Sequence, residues 1–268
     1  FPRIDECLLG MRPGQMIVIG ARPGVGKTSF ALNLMTNAAF NGASVAMFSI
    51  EMSKVEIAQR LLAANARVGL QEIRSARIRN EQWPQILQAT NDLSQLDIMI
   101  DDTPGTTVTE IRAKARRILR GKPLGLVIID YLQLISPPSG GHRADSRATE
   151  VSEMSRGIKI MAKDLGVPVV ALSQLNRSVD GRPDKHPVMS DLRESGAIEQ
   201  DADVIMFIYR DWVYNKESDP TLAEVIIGKQ RNGPVGTVKL TFNGKYTSFE
   251  NRAEVPEGYV PDDMQEPA

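Results

Sequence analysis

Cysteine is almost absent from this chain. Cys7 is the only one among 268 residues, which excludes a disulfide framework and any cysteine-based metal cluster and fits a reducing cytosol. Long apolar runs are missing too. None approaches the ~20 residues a membrane span requires, and no signal peptide opens the sequence. Aromatic residues make up 5%, few for an extended base-stacking platform. There is no excess of either charge: 32 Lys+Arg against 33 Asp+Glu leave a formal net of −1, which on its face argues mildly against nucleic acid. That balance is uneven along the chain. Residues 250–268 hold six acids, one base and three prolines, a net of −5, and read as a flexible acidic tail. Residues 1–249 carry +4 and form the body.

What is present is ample apolar material, 42% hydrophobic, in short runs alternating with amphipathic stretches. Strands are expected at Met16–Gly20, Ser44–Ser49, Ile98–Ile100, Leu126–Ile129, Val167–Leu172, Val204–Tyr209, Ala223–Ile227 and Val235–Phe242. Helices are expected to begin near Lys27, Lys54, Glu81, Thr107, Ala148 and Leu192. The central runs are apolar throughout, as strands buried on both faces are, and helices between them indicate a mostly parallel sheet. Arg231-Asn-Gly-Pro234 and Asn243-Gly244 read as turns between antiparallel strands. The fold class is therefore α/β, one domain with a C-terminal antiparallel extension.

The strongest local signal is Ala21-Arg22-Pro23-Gly24-Val25-Gly26-Lys27-Thr28-Ser29, between an apolar strand and a helix with Phe30, Leu34 and Ala38 on one face. That is the context of a phosphate-binding P-loop. Gly24 and Gly26 let backbone N–H groups turn toward phosphate oxygens, and the helix N-terminus adds its positive end. Lys27 can reach β- and γ-phosphates, and the Thr28 hydroxyl can hold Mg²⁺. Ala21 stands where the pattern has glycine. Asp130 ends Leu126-Val-Ile-Ile-Asp and can hold Mg²⁺ through water; it could instead cap a helix. Glu51 ends a second strand and can polarise the water that attacks the γ-phosphorus; it could instead favour the N-terminus of the following helix. Gln174, at the end of a fifth run, suits a γ-phosphate sensor, or is an ordinary loop amide.

Two long polar loops, Ser136–Arg147 and Asn176–Asp191, carry arginines that could follow a nucleic-acid backbone, and read equally well as solvated surface. Lys229-Gln-Arg231 is either a solvated hairpin or a source of an arginine finger for a neighbouring subunit. The basic stretch Ile111–Arg120 reads as a solvated helix face over Ile111, Ala115 and Ile118.

Five motifs in order resemble the replicative DNA helicases of the DnaB family: Phe48-Ser-Ile-Glu-Met-Ser53, Val127-Ile-Ile-Asp-Tyr-Leu-Gln-Leu134, Ser173-Gln-Leu-Asn-Arg177, Ser190–Asp203 and Gly228-Lys-Gln-Arg-Asn-Gly-Pro234. The resemblance covers about residues 1 to 250 and corresponds to that family's C-terminal RecA-like motor domain. It implies a RecA-like P-loop NTPase fold and a homohexameric ring that binds ATP and Mg²⁺ between subunits and moves along single-stranded DNA. It further implies primase and helicase-loader partners, no membrane, and a cytoplasmic, nucleoid-associated location. By motif, Lys27 and Thr28 bind phosphate and Mg²⁺, Glu51 is the catalytic base and Asp130 the Walker B acid. Gln174 is the sensor, Lys229 and Arg231 reach the neighbour's γ-phosphate, and Arg193, Glu194 and Gly196 lie in the loop that follows DNA. A RecA-like recombinase and a nucleotide-gated ring scaffold with little unwinding activity are the alternatives.

Overall fold

The computed structural model describes residues 1–121, 123–135, 147–192 and 196–253. Its strands are β1 (Met16–Ala21), β2 (Ser44–Ser49), β3 (Ile98–Asp101), β4 (Leu124–Asp130), β5 (Val169–Gln174), β6 (Val204–Tyr209), β7 (Leu222–Gln230), β8 (Gly236–Asn243) and β9 (Ser248–Asn251). Its α-helices are α1 (Pro2–Leu8), α2 (Lys27–Phe40), α3 (Lys54–Ala66), α4 (Leu70–Arg74), α5 (Trp83–Ser94), α6 (Val108–Gly121), α7 (Arg147–Leu165), α8 (Ser178–Gly181) and α9 (Gly196–Asp201). The strands form a single sheet in the order β3-β2-β4-β5-β1-β6-β7-β8-β9. All pairings from β3 to β6 are parallel, and β6–β7, β7–β8 and β8–β9 are antiparallel.

The expectation of strands buried on both faces holds: β1 and β6 are buried at every residue. Because side chains alternate across a strand, Ile17 and Ile19 join a core with Phe30 and Met35 of α2, while Met16 and Val18 join a second core with Ile158 and Met161 of α7. Each such aliphatic side chain contributes about 1.5–3 kcal/mol of burial. The P-loop thus leaves a strand held from both sides, and the parallel strand ends gather along one edge.

Local chemistry sets the helix starts. The Ser53 side chain accepts from the Glu56 N–H while the Glu56 carboxylate accepts from the Ser53 N–H, a reciprocal cap on α3. Thr107 and Glu110 make the same exchange at α6. The basic face of α6 is as expected: Ile111 and Ala115 are fully buried, Ile118 packs beside them, Arg112 and Arg116 pair with Asp164, and Lys114 pairs with Asp101.

Several details differ from the sequence reading, and α1, α4 and α8 stand outside its six helix starts. Strand β5 begins at Val169, after Pro168, which has no N–H to donate to a ladder. Helix α9 begins at Gly196, because Leu192 is engaged in an isolated antiparallel bridge with Leu175. And β9, which pairs with β8, runs through Asn251, carrying sheet structure past the boundary expected at residue 250. Phe249 is buried there, edge-on to Phe30, and its N–H donates to Asn33 Oδ1 at 2.8 Å, so β9 is pinned to α2. Residues 254–268 of the expected tail lie outside the described residues.

Candidate nucleotide-binding site

At the end of β1 the chain turns through Gly24 (φ +79°) and Gly26 (φ +114°) before entering α2. Positive φ favours glycine at both positions. At Gly26 a Cβ would also stand 3.0 Å from the Phe249 ring and 3.3 Å from Phe242, so the loop backbone is seated directly on the C-terminal strands. The loop borders a cavity of about 550 Å³ lined by Ala21, Arg22, Pro23, Gly24, Gly26, Lys27, Thr28 and Ser29. Val25 is the exception in the expected set: its side chain is buried in the core beneath the loop. An apolar residue there anchors the loop.

Thr28 Oγ1 donates to Asp130 Oδ2 at 2.8 Å, and Lys27 Nζ lies 3.6 Å from Asp130 Oδ1 and 4.0 Å over the Tyr131 ring. Asp130 caps no helix. It is fully buried at the end of β4, and its Oδ1 accepts no hydrogen bond. A buried carboxylate oxygen without a hydrogen-bond donor, next to a threonine hydroxyl, is a hard-oxygen arrangement that fits Mg²⁺. Among the described residues no group of three or more His, Cys, Asp or Glu could hold a metal. Its remaining ligands would be phosphate and water, as Mg²⁺ favours.

Glu51 lines the same cavity. Since Ser53 and Glu56 cap α3, Glu51 is not needed for that task. Partial burial and the nearby Asp130 carboxylate raise its pKa above the usual range, with Lys27 and Arg60 pulling the other way. Burial lowers the Lys27 pKa, opposed chiefly by Asp130. A carboxylate of raised basicity beside a cavity floored by a lysine and a threonine can accept a proton from water positioned against a phosphate. Gln174 closes another side: it pairs with Ala21 in the β1–β5 register and lines the cavity. Its N–H donates to Gln133 Oε1 at 3.3 Å, while Gln133 Nε2 donates to Ser173 Oγ at 2.9 Å.

Other expected residues lie elsewhere. Lys229 Nζ donates to Ala202 O at 2.7 Å and to Glu199 O, and Arg231 donates to Gln200 O at 2.6 Å and pairs with Asp203 at 3.3 Å. Lys229 pairs with Ile205, and Ile205 with Val18. These cations therefore stand toward the opposite end of the parallel strands from the P-loop and do not line their own chain's cavity. Gly196 is exposed at the start of α9, also away from the cavity. Arg193 and Glu194 lie outside the described residues, as do 136–146 of the first polar loop.

The second polar loop is not structureless. Arg182 forms a bidentate pair with Asp191 at 2.8 Å and donates to His186 O, and Lys185 donates to Asp180 O at 2.6 Å. Those cations are held internally. The Arg177 side chain is exposed, and its carbonyl accepts from Asp180 N–H at 3.1 Å. Sequence reasoning missed Arg60, which enters the cavity from α3. It also missed Phe242 and Thr247, which line the cavity from the C-terminal strands. Arg60 lies one helical turn beyond Glu56, but nothing local marks it as cavity-lining; the aromatic contribution depends on β8 folding back and has no local signature.

Known proteins resemble this chain over most of its length. The profile of the family described as DnaB-like helicase C terminal domain matches residues 1–251. A replicative DNA helicase DnaB of Geobacillus stearothermophilus is 47% identical over 96% of this chain and 58% of its own length. The replicative DNA helicase DnaC of Bacillus subtilis (strain 168) is 48% identical over 94% of this chain and 55% of its own length. Among solved structures, one described as an ATPase domain superposes with a TM-score of 0.90 at 43% identity, covering 94% of this chain and 90% of that one. A DnaB-like replicative helicase, described with its interactions with primase, gives the same TM-score and identity over 61% of its chain. The chain thus spans a little over half the length of these curated relatives. A P-loop seated between β1 and α2, an acid at the end of β4 and a match running from the first residue to the end of the last strand lead to one conclusion: this chain belongs to the DnaB-like helicase C-terminal domain family.

Proposed function

We propose that this chain is the ATP-hydrolysing motor of a replicative DNA helicase, working as a homohexameric ring that translocates on single-stranded DNA and unwinds duplex. The observation that supports it most is the cluster of Lys27, Thr28 and Asp130 beneath a cavity that Glu51 and Gln174 border. In this reading the P-loop N–H groups and Lys27 bind the β- and γ-phosphates of ATP. Thr28 and Asp130 would hold Mg²⁺, which would supply charge neutralisation at the phosphates. Glu51 takes the proton from a water whose oxygen bonds to the γ-phosphorus. The bond from that phosphorus to the β–γ bridging oxygen breaks, giving ADP and phosphate. Gln174 senses the γ-phosphate from β5.

Lys229 and Arg231 act in trans on the neighbour's γ-phosphate; their position toward the far end of the strands favours this over any role in their own cavity. The segment of Arg193, Glu194 and Gly196 holds the DNA backbone. Primase and a helicase loader are proposed partners, the first by analogy with the solved relative. Among the described residues no helix is long and apolar enough to cross a membrane; a cytoplasmic, nucleoid-associated location is part of the same proposal. The test is ATP hydrolysis by the full-length protein with and without single-stranded DNA. Stimulation is expected, and a rate unchanged by the strand would sink the motor reading.

A further inference from the structure

The side chain of Arg22 is not spent on the phosphate cavity alone. Its Nη1 donates to Leu175 O at 3.0 Å, and its Nε and Nη2 grip both carboxylate oxygens of Asp180 at 3.1 and 2.6 Å. All three donor nitrogens are used, and the guanidinium is 13% exposed. Pro23 follows directly and restricts the Arg22 backbone to extended conformations, so the direction of this side chain is set by the loop itself.

Its partner belongs to a compact bracket, residues 176–192. The ends of that bracket are tied by the Leu175–Leu192 bridge and by Asn176 N–H to Asp191 O at 2.9 Å. Inside it, Asp191 is a hub: it accepts from both Arg182 Nη groups and, at 2.7 Å, from Val188 N–H. These contacts close the unit on itself. It begins immediately after Leu175, one residue beyond Gln174, and ends immediately before Arg193.

We infer that Asp180 is a positioning residue, and that the Arg22–Asp180 pair couples the phosphate-binding loop to the bracket of residues 176–192, which the 193–196 segment directly follows in sequence. This rests on the proposed motor function, with 193–196 as its DNA-holding segment. The pair adds to the strand-end route through Gln174 a second, ionic one that starts at the P-loop. An Arg–carboxylate fork has defined geometry, so a shift of the loop is delivered to the bracket with direction. A lone exposed ion pair would be weak; here the guanidinium is also fixed by Leu175 O.

The test uses the full-length protein and steady-state ATP hydrolysis, with and without single-stranded DNA, for wild type, Asp180→Ala, Asp180→Asn and Asp180→Glu. Expected is basal hydrolysis within about twofold of wild type for all three variants. DNA stimulation should fall at least about fivefold in Ala and Asn, the lower end of typical coupling between sites, and be largely restored in Glu. Full stimulation in Asp180→Ala overturns the inference. So does equal loss of basal and stimulated rates, which would mark Asp180 as merely structural. If wild type itself is not stimulated, the motor reading fails and this inference with it, a result visible before any variant is made.

Discussion

The parallel and antiparallel halves of the sheet do different work. From β2 across to β6 the strands are buried almost throughout, and their carboxyl ends carry Glu51, Asp130, Gln174 and the P-loop. In β7 and β8 burial alternates, as in a sheet with one wet face. This half brings no carboxylate to the cavity; it brings Phe242 and Thr247 and presses Phe249 against Gly26. Under the proposed function the parallel half supplies the reacting groups at fixed strand ends, and the antiparallel half supplies the seat that holds the loop in shape. Chemistry and support come from separate stretches of chain, so each can be damaged separately.

The largest expected effect falls on the parallel half. Glu51→Gln should lower single-turnover hydrolysis by about 10²–10⁴-fold, the usual worth of a general base, while nucleotide binding is retained. A ring scaffold that needs no base would keep its function, so this variant also separates the two readings. Because the Glu51 pKa is raised, its ionised, proton-accepting form is lost at higher pH than for an ordinary glutamate. The wild-type rate should therefore decline on acidification earlier than an unperturbed carboxylate would allow, and the Gln variant should lack that limb.

On the antiparallel half, Phe249→Ala should cost about 3–5 kcal/mol in denaturant unfolding, with Glu51 chemistry intact in whatever remains folded. A loss of kcat without loss of stability would erase the division of labour. Gly26→Ala sits where the halves meet and should cost about 1–3 kcal/mol through backbone strain. It should also weaken nucleotide binding more than Gly24→Ala, where a Cβ meets nothing within 4 Å. The smallest effect belongs to neither half: Arg116→Ala on α6 should change stability by under about 1 kcal/mol and leave DNA-stimulated hydrolysis unaltered. If that stimulation disappeared, α6 would have to be counted as a DNA surface.

The same division explains what could be read from residues alone. Wholly apolar runs identify β1, β4 and β6 because burial on both faces leaves no polar alternation to confuse the pattern. The P-loop is legible because glycine freedom, a lysine and a threonine must be adjacent in sequence to be adjacent in space. β9 was hidden because Glu250 and the acids after it outweigh Ser248 and Phe249 in any compositional reading, and only packing on α2 makes the segment a strand. Arg60 and Phe242 reach the cavity through tertiary placement. The net charge of −1 conceals both the small positive balance of residues 1–249 and the internal use of Arg182, Lys185, Arg112 and Arg116 in ion pairs and hydrogen bonds.

The phosphate loop stands at one end of the parallel strands, and Lys229 and Arg231 stand toward the other. Under the proposed trans role, a body so arranged offers a socket at one end and a plug at the other. Two copies joined through that contact alone cannot satisfy each other by a twofold axis. The association is head-to-tail, and it closes only when the rotation from one copy to the next divides a full turn; otherwise it climbs into a filament. The choice between ring and helix then reduces to a single angle, set by how the plug seats in the socket.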